Sequence, residues 1–298
     1  MLHGWLDNCR SFWKLAPDLV VGGGTKNCCG VEIVAMDFPG HGQSSHKSLD
    51  GPSVVLAEGA YYVGEVLHQL KWNDNDDNDN KTTTTTTTIV GHSMGSAVAM
   101  LYTAAFPEQV DNLVLLEGIG PLPRHEQDVH RHVRAHVEKR LSQNRQSRNR
   151  NRLYPSLHDA VQRRIQSARN APGHQDLSYE AAHEIVKRGT IHVNNKSDAV
   201  RFRHDSRLLW PSLLYTTHAQ ASAIQKAVAG VRTCLVVAKE NGWPLFPHQD
   251  EEALLANLQP RHFAKLEGSH HFHADPDTYQ AVAQHVWQFL FSGDSPPT

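Results

Sequence analysis

The stretch Ile89-Val90-Gly91-His92-Ser93-Met94-Gly95 decides the fold of this chain. A short apolar run ends at a Gly-x-Ser-x-Gly pattern, and residues 96–106 beyond it have apolar side chains at helical spacing. A sharp strand-to-helix turn strains its middle residue, and side chains at Gly91 and Gly95 would collide with the neighbouring elements. Ser93 would then lie at a helix N-terminus, where free N–H groups favour developing negative charge. The pattern predicts a nucleophilic serine, with a purely structural Gly-rich turn as the alternative.

Apolar runs on both sides of this turn predict further strands of one sheet. They are residues 31–37, 113–116, 234–238 and the weaker 263–266, and the first is expected to be a buried parallel strand. Helical spacing recurs in residues 59–70 and 279–291. Strands that alternate with helices predict an α/β fold with a mostly parallel, doubly wound sheet.

The segment from residue 122 to residue 228 interrupts this alternation. It is long, very polar and mostly helical in its pattern, and it contains no convincing strand. We therefore predict a helical insertion at 122–228 within a core formed by residues 1–121 and 229–298. Two low-complexity tracts, 73–80 and 143–152, are expected to be solvated loops, because neither can bury apolar area.

A serine nucleophile needs a base and an acid. The loop Gly268-Ser269-His270-His271-Phe272-His273 follows the last predicted strand and offers three histidines. They could also form a metal site, but no carboxylate or cysteine completes a ligand spacing, so we predict none. Two carboxylates stand between serine and histidine in the order Ser, Asp or Glu, His. Glu117 closes the strand 113–116, and Glu240 closes the strand 234–238.

Together these motifs resemble the α/β-hydrolases, and more closely the serine hydrolase-like proteins of that superfamily. The resemblance spans residue 3 to about residue 290 and rests on three runs of sequence: Leu2-His3-Gly4-Trp5-Leu6-Asp7-Asn8, Ala35-Met36-Asp37-Phe38-Pro39-Gly40-His41-Gly42 and Phe202-Arg203-His204-Asp205-Ser206-Arg207-Leu208. It implies the α/β-hydrolase fold, with the insertion as a helical cap over the site. Two or three strands normally precede the His-Gly-Trp loop in this family, so the sheet is expected to lack N-terminal strands.

The resemblance also assigns roles to residues. It implies that His270 is the base, with His271 as the competing choice, and that the N–H groups of Trp5 and Met94 form the oxyanion hole. The family usually has an aspartate near residue 241 or 242 at the commoner acid site, where this chain has Asn241-Gly242. We therefore prefer Glu117 as the acid and keep Glu240 as the alternative. Ser93 stands where dehalogenases and epoxide hydrolases have aspartate, which disfavours both of those chemistries.

The expected function is that of a serine hydrolase acting on a small, apolar ester, without a cofactor. The alternative is a non-catalytic ligand-binding or interaction protein on the same fold.

Composition limits the partners of this protein. The 29 Lys and Arg against 31 Asp and Glu leave a net charge of -2, and no aromatic residues separate the arginines of residues 145–152. A small-molecule substrate is therefore expected rather than a nucleic acid. No stretch of 18 apolar residues occurs, so we predict no membrane span. The four cysteines lack a zinc or disulfide spacing, which favours the cytoplasm, with the peroxisome as an alternative.

Overall fold

The computed structural model of this protein describes residues 1–21, 30–48, 56–70, 72, 86–145, 152–171, 175–193, 197–213, 215–240 and 251–291. Within them the strands are β1 (Thr88–His92), β2 (Asn112–Leu116), β3 (Leu153–Tyr154), β4 (Thr190–His192), β5 (Val200–Phe202), β6 (Arg232–Ala238) and β7 (His262–Leu266). The α-helices are α1 (Leu15–Val21), α2 (Leu56–Leu70), α3 (Met94–Ala105), α4 (Val129–Arg145), α5 (Leu157–Arg169), α6 (Tyr179–Gly189), α7 (His218–Ala227), α8 (Glu251–Leu258) and α9 (Tyr279–Phe291). Short 3-10 helices cover Cys9–Phe12, Pro107–Gln109, Glu126–Asp128 and Ser206–Leu209.

The central sheet is parallel, in the strand order β1-β2-β6-β7. All of β2 and nearly all of β6 are buried, as expected for parallel strands that are covered on both faces. Successive residues of β2 point to opposite faces and divide between two cores. Leu113 and Leu115 pack with α2, α3 and α8, whereas Val114 and Leu116 pack with α1 and α9. The predicted doubly wound arrangement is confirmed, as are the strands at 113–116, 234–238 and 263–266 and the helices at 59–70, 96–106 and 279–291.

One residue extends the sheet beyond β1. Leu2 forms parallel bridges with both Met36 and Gly91. Its N–H donates to Val90 O at 2.8 Å, and its carbonyl accepts the His92 N–H at 2.9 Å. The prediction of a buried strand at 31–37 was wrong in detail. Residues 31–36 are half-buried or exposed and form a single bridge, at Met36, because they lie outside Leu2 at the margin of the sheet.

The segment between β2 and β6 carries α4 to α7 and a small antiparallel sheet in the order β3-β5-β4. This sheet and helices α5 and α6 enclose a core of their own that includes Val161, Ala181 and Val200. The expectation of no strand in this segment was wrong, because strands of two or three residues are too short to show a pattern. The bounds 122 and 228 stay a prediction. We call residues 122–228 the insertion.

The two tracts predicted to be solvated loops lie wholly or mostly outside the described residues. The tract 73–80 lies outside the described residues, and of the tract 143–152 only the end of α4 and Arg152 are described. None of the helices in the described ranges combines the length and apolarity that crossing a bilayer requires.

Candidate active site

Ser93 lies at the junction of β1 and α3 in a strained conformation, with φ 52° and ψ -115°. The two glycines beside it have no room for a side chain. A Cβ at Gly91 would stand 2.5 Å from Gly95 O, and a Cβ at Gly95 would stand 2.0 Å from Leu2 O. The Ser93 N–H donates to Leu116 O at 3.0 Å, which seats the turn on the end of β2. Packing on three sides therefore maintains a conformation that serine would otherwise avoid.

Glu117 and His270 meet at the carboxyl ends of β2 and β7. Glu117 Oε2 lies 3.3 Å from His270 Nδ1, and both side chains are buried. The other carboxylate oxygen, Oε1, accepts the Ala238 N–H from the end of β6. Glu240 is an exposed residue two positions further on, and its backbone N–H donates to Gly268 O at 3.2 Å. Of the two acid candidates, the one in contact with His270 is therefore Glu117.

Burial controls the protonation of this pair. It raises the pKa of Glu117 to about 7, against the lowering effects of the Ala238 N–H and of His271. It lowers the pKa of His270 to about 3, with His271 and Arg164 adding to the effect and Asp7 opposing it. His270 is thus neutral over the range in which most enzymes work. With Nδ1–H directed at the carboxylate, its Nε2 carries the lone pair that a general base needs.

A packed group of histidines surrounds this pair. The His92 and His270 ring centroids are 4.9 Å apart, and those of His92 and His273 are 3.9 Å apart. His92 Nε2 lies 2.8 Å from the His270 carbonyl, so this nitrogen carries the proton and donates it there. His92 immediately precedes Ser93. The residue next to the nucleophile candidate is therefore hydrogen-bonded to the backbone of the base candidate, His270. His271, the competing base, instead places Nε2 3.2 Å from Asp7 Oδ2.

The loop of residues 3–8, which carries the Trp5 amide, packs against His92, since a Cβ at Gly4 would stand 3.0 Å from His92 Nδ1. His3 Nε2 accepts the Phe38 N–H at 3.0 Å, so Nδ1 carries the proton and donates to Gly4 O at 2.7 Å. Leu6 has a positive φ of 61°, which turns the loop. Met94 is the first residue of α3. Within the described chain, no hydrogen-bond partner occupies the N–H of Trp5 or of Met94.

Sequence reasoning overlooked three residues of this region. His92 occupies the variable position of the Gly-x-Ser-x-Gly pattern, and only the packing of its ring reveals its contact with His270. Asp7 had a signal, since it is a charged residue inside the quoted Leu2–Asn8 run. Arg164 had none, because it is one of several arginines on a polar helix. In the described ranges, no group of three His, Cys, Asp or Glu side chains is arranged to hold a metal ion.

Similarity to known proteins identifies the fold family of this chain. The family model described as alpha/beta hydrolase fold matches residues 1–172. A serine hydrolase-like protein of Danio rerio is 27% identical over 297 residues, which cover 97% of this chain and 80% of the relative. Serine hydrolase-like protein 2 of Homo sapiens is 32% identical over 212 residues, which cover 70% of this chain and 57% of the relative.

Solved structures give the same result. The hypothetical protein PA1622 from Pseudomonas aeruginosa PAO1 is 32% identical, with a TM-score of 0.78 over 97% of this chain and 89% of that one. A thioesterase domain from the curacin biosynthetic pathway has a TM-score of 0.69 over 95% of this chain and 88% of that one, and its 21% identity supports a shared fold alone. With more than half of its residues matched by the family model, this chain belongs to the α/β-hydrolase fold family.

Proposed function

We propose that this protein is a serine hydrolase that cleaves a small, apolar carboxylic ester by acyl transfer. The observation that supports the proposal is that Ser93, Glu117 and His270 follow the carboxyl ends of three strands of one parallel sheet. Ser93 occupies a strained turn, His92 beside it holds the His270 backbone, and the His270 ring faces Glu117 at 3.3 Å. The names of the serine hydrolase-like relatives are consistent with this chemistry.

Each group has a role in this mechanism. His270 Nε2 takes the proton of the Ser93 hydroxyl as Ser93 Oγ attacks the ester carbonyl carbon. Glu117 orients the imidazole and stabilises its charged form. The N–H groups of Trp5 and Met94 bind the oxyanion of the tetrahedral intermediate. The alcohol leaves with the proton held by His270, and water, deprotonated by the same ring, then releases the acid and frees Ser93.

The insertion is proposed to be the cap that bounds the substrate site. It contacts the loop that carries the Trp5 amide, since Trp5 Nε1 donates to Leu208 O at 3.1 Å and Asn8 Nδ2 donates to Ile185 O at 2.8 Å. Both acceptors belong to the insertion. A small-molecule substrate would therefore be enclosed between the insertion and the carboxyl ends of the strands, where α/β proteins bind their ligands.

The direct test is Ser93→Ala, assayed on p-nitrophenyl esters of graded chain length. We expect the rate to fall by a factor of about 100 or more, because the variant retains the oxyanion donors but lacks the nucleophile. Ser142→Ala, at an exposed position of α4, is the matched control and should retain full activity.

A fluorophosphonate probe separates the enzyme from a non-catalytic binding protein. Labelling of the wild-type protein that disappears in Ser93→Ala requires an activated serine at that position. Ester hydrolysis that persists unchanged in Ser93→Ala, or a wild-type protein that the probe does not label, would reject the proposed function.

A further inference from the structure

Three charged or polar side chains from separate parts of the chain meet next to His270, the base candidate. Asp7 belongs to the loop of residues 3–8, His271 to the loop after β7, and Arg164 to helix α5 of the insertion. Arg164 Nη2 lies 2.7 Å from Asp7 Oδ1, and His271 Nε2 lies 3.2 Å from Asp7 Oδ2. The side chains of Asp7 and His271 are 1% and 3% exposed, and that of Arg164 is 15% exposed.

The protonation of this cluster follows from its contacts. Burial alone would raise the pKa of Asp7, but His271 and Arg164 overcome that effect and hold it well below the usual value. Asp7 is therefore an ionised acceptor, and the His271 Nε2 that faces it must carry a proton. That nitrogen also lies 3.2 Å from Arg164 Nη2. Since both atoms are donors, this approach is a packing contact, and Asp7 is the group that binds both neighbours.

The two core loops that Asp7 joins each carry a candidate group of the site. Asp7 lies two residues after Trp5, and its N–H closes a turn on Gly4 O at 3.1 Å. His271 directly follows His270. A Cβ at Gly4 would stand 3.2 Å from Asp7 Oδ2 and 3.0 Å from His92 Nδ1, so the loop packs closely against the His92 ring. A buried ion pair adds little to stability compared with well-packed apolar residues, and this pair connects the insertion with both loops.

We propose that Asp7, held by Arg164 and His271, is a positioning group that aligns the Trp5 amide with the His270 imidazole. Through Arg164, it also makes the reactivity of Ser93 depend on the position of the insertion. The inference rests on the proposed function and extends it to three residues that do not touch the reacting atoms.

Charge provides a readout that a merely structural contact would not affect. Among the described residues, the titratable and charged groups that act on His270 include Glu117, His92, His271, His273, Asp7 and Arg164. Burial is the main influence on the pKa of His270, but Asp7 raises this pKa and Arg164 lowers it. Removing the Asp7 charge should therefore move the acid limb of the kcat/KM profile to lower pH, removing the Arg164 charge should move it to higher pH, and removing both should largely restore it. Circular dichroism at each pH restricts the profiles to the folded protein, because the buried histidines make the fold less stable in acid.

The experiment compares full-length wild type, Asp7→Asn, Arg164→Gln and the double variant on p-nitrophenyl acetate. Active sites are counted with a fluorophosphonate. For Asp7→Asn we expect kcat per labelled site to fall by a factor of about 100, as for misplaced catalytic groups in general. KM should change by less than a factor of about 3, because substrate contacts remain. The acid limb should move to lower pH in Asp7→Asn and to higher pH in Arg164→Gln.

Arg188→Gln is the matched control. Arg188 Nε also bridges the insertion and the core, at 2.8 Å from Asp37 Oδ2, so it tests the loss of an ion pair of this kind away from His270. Its kcat per labelled site and its acid limb should match the wild type. The positioning role is rejected if Asp7→Asn behaves like Arg188→Gln while the activity of the wild type still depends on Ser93.

A second measurement keeps the two proposals separate. Nitrogen-15 NMR of the histidine rings reports their protonation and tautomers whether or not the protein hydrolyses esters. If wild-type activity does not depend on Ser93, the proposed function fails by itself. The His270 signals then decide about Asp7, because His271 contacts Asp7 directly and its signals change in any case. Altered His270 signals in Asp7→Asn but not in Arg188→Gln support the positioning role, and unaltered His270 signals reject it.

Discussion

Glu117 is the residue at which burial and chemistry conflict most directly. Its side chain is 0% exposed, and it has a positive φ of 48°. Burial raises its pKa to about 7. The Ala238 N–H and the His270 ring supply the polar partners that a buried carboxylate needs. This costly placement is understandable if the carboxylate acts on the imidazole, as the proposed mechanism requires.

We predict that Glu117→Gln lowers kcat by a factor between about 100 and 10,000. The new amide would keep an acceptor for the Ala238 N–H but would place an NH₂ donor against His270 Nδ1. The ring would then carry its proton on Nε2 and could not accept one from Ser93. Steady-state kinetics on a p-nitrophenyl ester would measure the loss, and thermal unfolding would show that the fold is retained.

Glu240→Gln is the matched control, because Glu240 is the exposed alternative acid. Its kcat should stay within about twofold of the wild-type value. The opposite result, a large loss in Glu240→Gln with little change in Glu117→Gln, would transfer the acid role to Glu240.

At the scale of elements, the turn at Ser93 depends on three segments that meet at Gly95. Gly95 is the second residue of helix α3, β1 ends three residues before it at His92, and the Leu2 carbonyl faces the glycine from the neighbouring bridge of the sheet. That carbonyl is fixed, because it accepts the His92 N–H at 2.9 Å. The helix and the sheet therefore approach as closely as two backbones allow.

Gly95→Ala should destabilise the fold. The new Cβ would stand 2.0 Å from Leu2 O, and relieving this overlap requires α3 to move or the Leu2 pairing to break. Overpacking in tight cores usually costs about 1–3 kcal/mol, and a backbone obstacle places this variant at the upper end or beyond. Urea unfolding followed by circular dichroism would measure the cost.

Gly230→Ala controls for the general effect of replacing a glycine. Gly230 has no atom within 4 Å of its added Cβ, and its φ is not positive. We expect its free energy of unfolding to stay within about 0.5 kcal/mol of the wild-type value. Equal stability of the two variants would mean that α3 can shift away from Leu2 at little cost.

At the scale of the whole molecule, buried histidines make stability depend on pH. Burial is the largest cause that lowers the pKa of each of five fully or nearly fully buried histidines, to about 3 for His41 and His270 and in the same direction for His3, His92 and His273. The unfolded chain binds protons at these residues near pH 6.5, and the folded protein does not. Folding is therefore opposed as the pH falls below about 6.5.

We predict a steep loss of stability between pH 7 and pH 5. Each proton bound only by the unfolded state lowers the free energy of unfolding by about 1.4 kcal/mol per pH unit. Glu117 acts in the opposite direction, because its raised pKa means that the folded protein binds one proton between about pH 7 and its ordinary value of 4.5. Because five histidines oppose one carboxyl group, the free energy of unfolding should fall as the pH falls. Urea unfolding at pH 7.5, 6.5 and 5.5 would measure it.

Salt distinguishes this effect from surface repulsion. Screening weakens interactions between exposed charges much more than it affects buried groups. The pH dependence should therefore persist in 0.5 M salt, in which the screening length is about threefold shorter than at low salt. A profile that is flat over this range, or that flattens once salt is added, would contradict the linkage to buried histidines.

Local sequence determined the parts of this protein that depend on neighbours along the chain. The turn 91–95, the strands 113–116, 234–238 and 263–266, and the helices 59–70 and 279–291 all follow from short-range patterns, because periodicity and glycine placement act within a few residues. Ser93 and the histidine loop were predicted for the same reason. The segment 31–37 was wrongly predicted to be a buried strand, and the short strands of the insertion were missed, since each depends on partners elsewhere.

Only the tertiary structure shows which of the alternative groups contact each other. Glu117 and Glu240 both end a strand, but only Glu117 reaches His270, because a positive φ turns its side chain into the core. His270 and His271 are adjacent, yet one faces Glu117 and the other faces Asp7. Arg164 joins Asp7 across 157 positions of sequence. Distance and burial set these pairings, and both arise only when the parallel strands bring their carboxyl ends together.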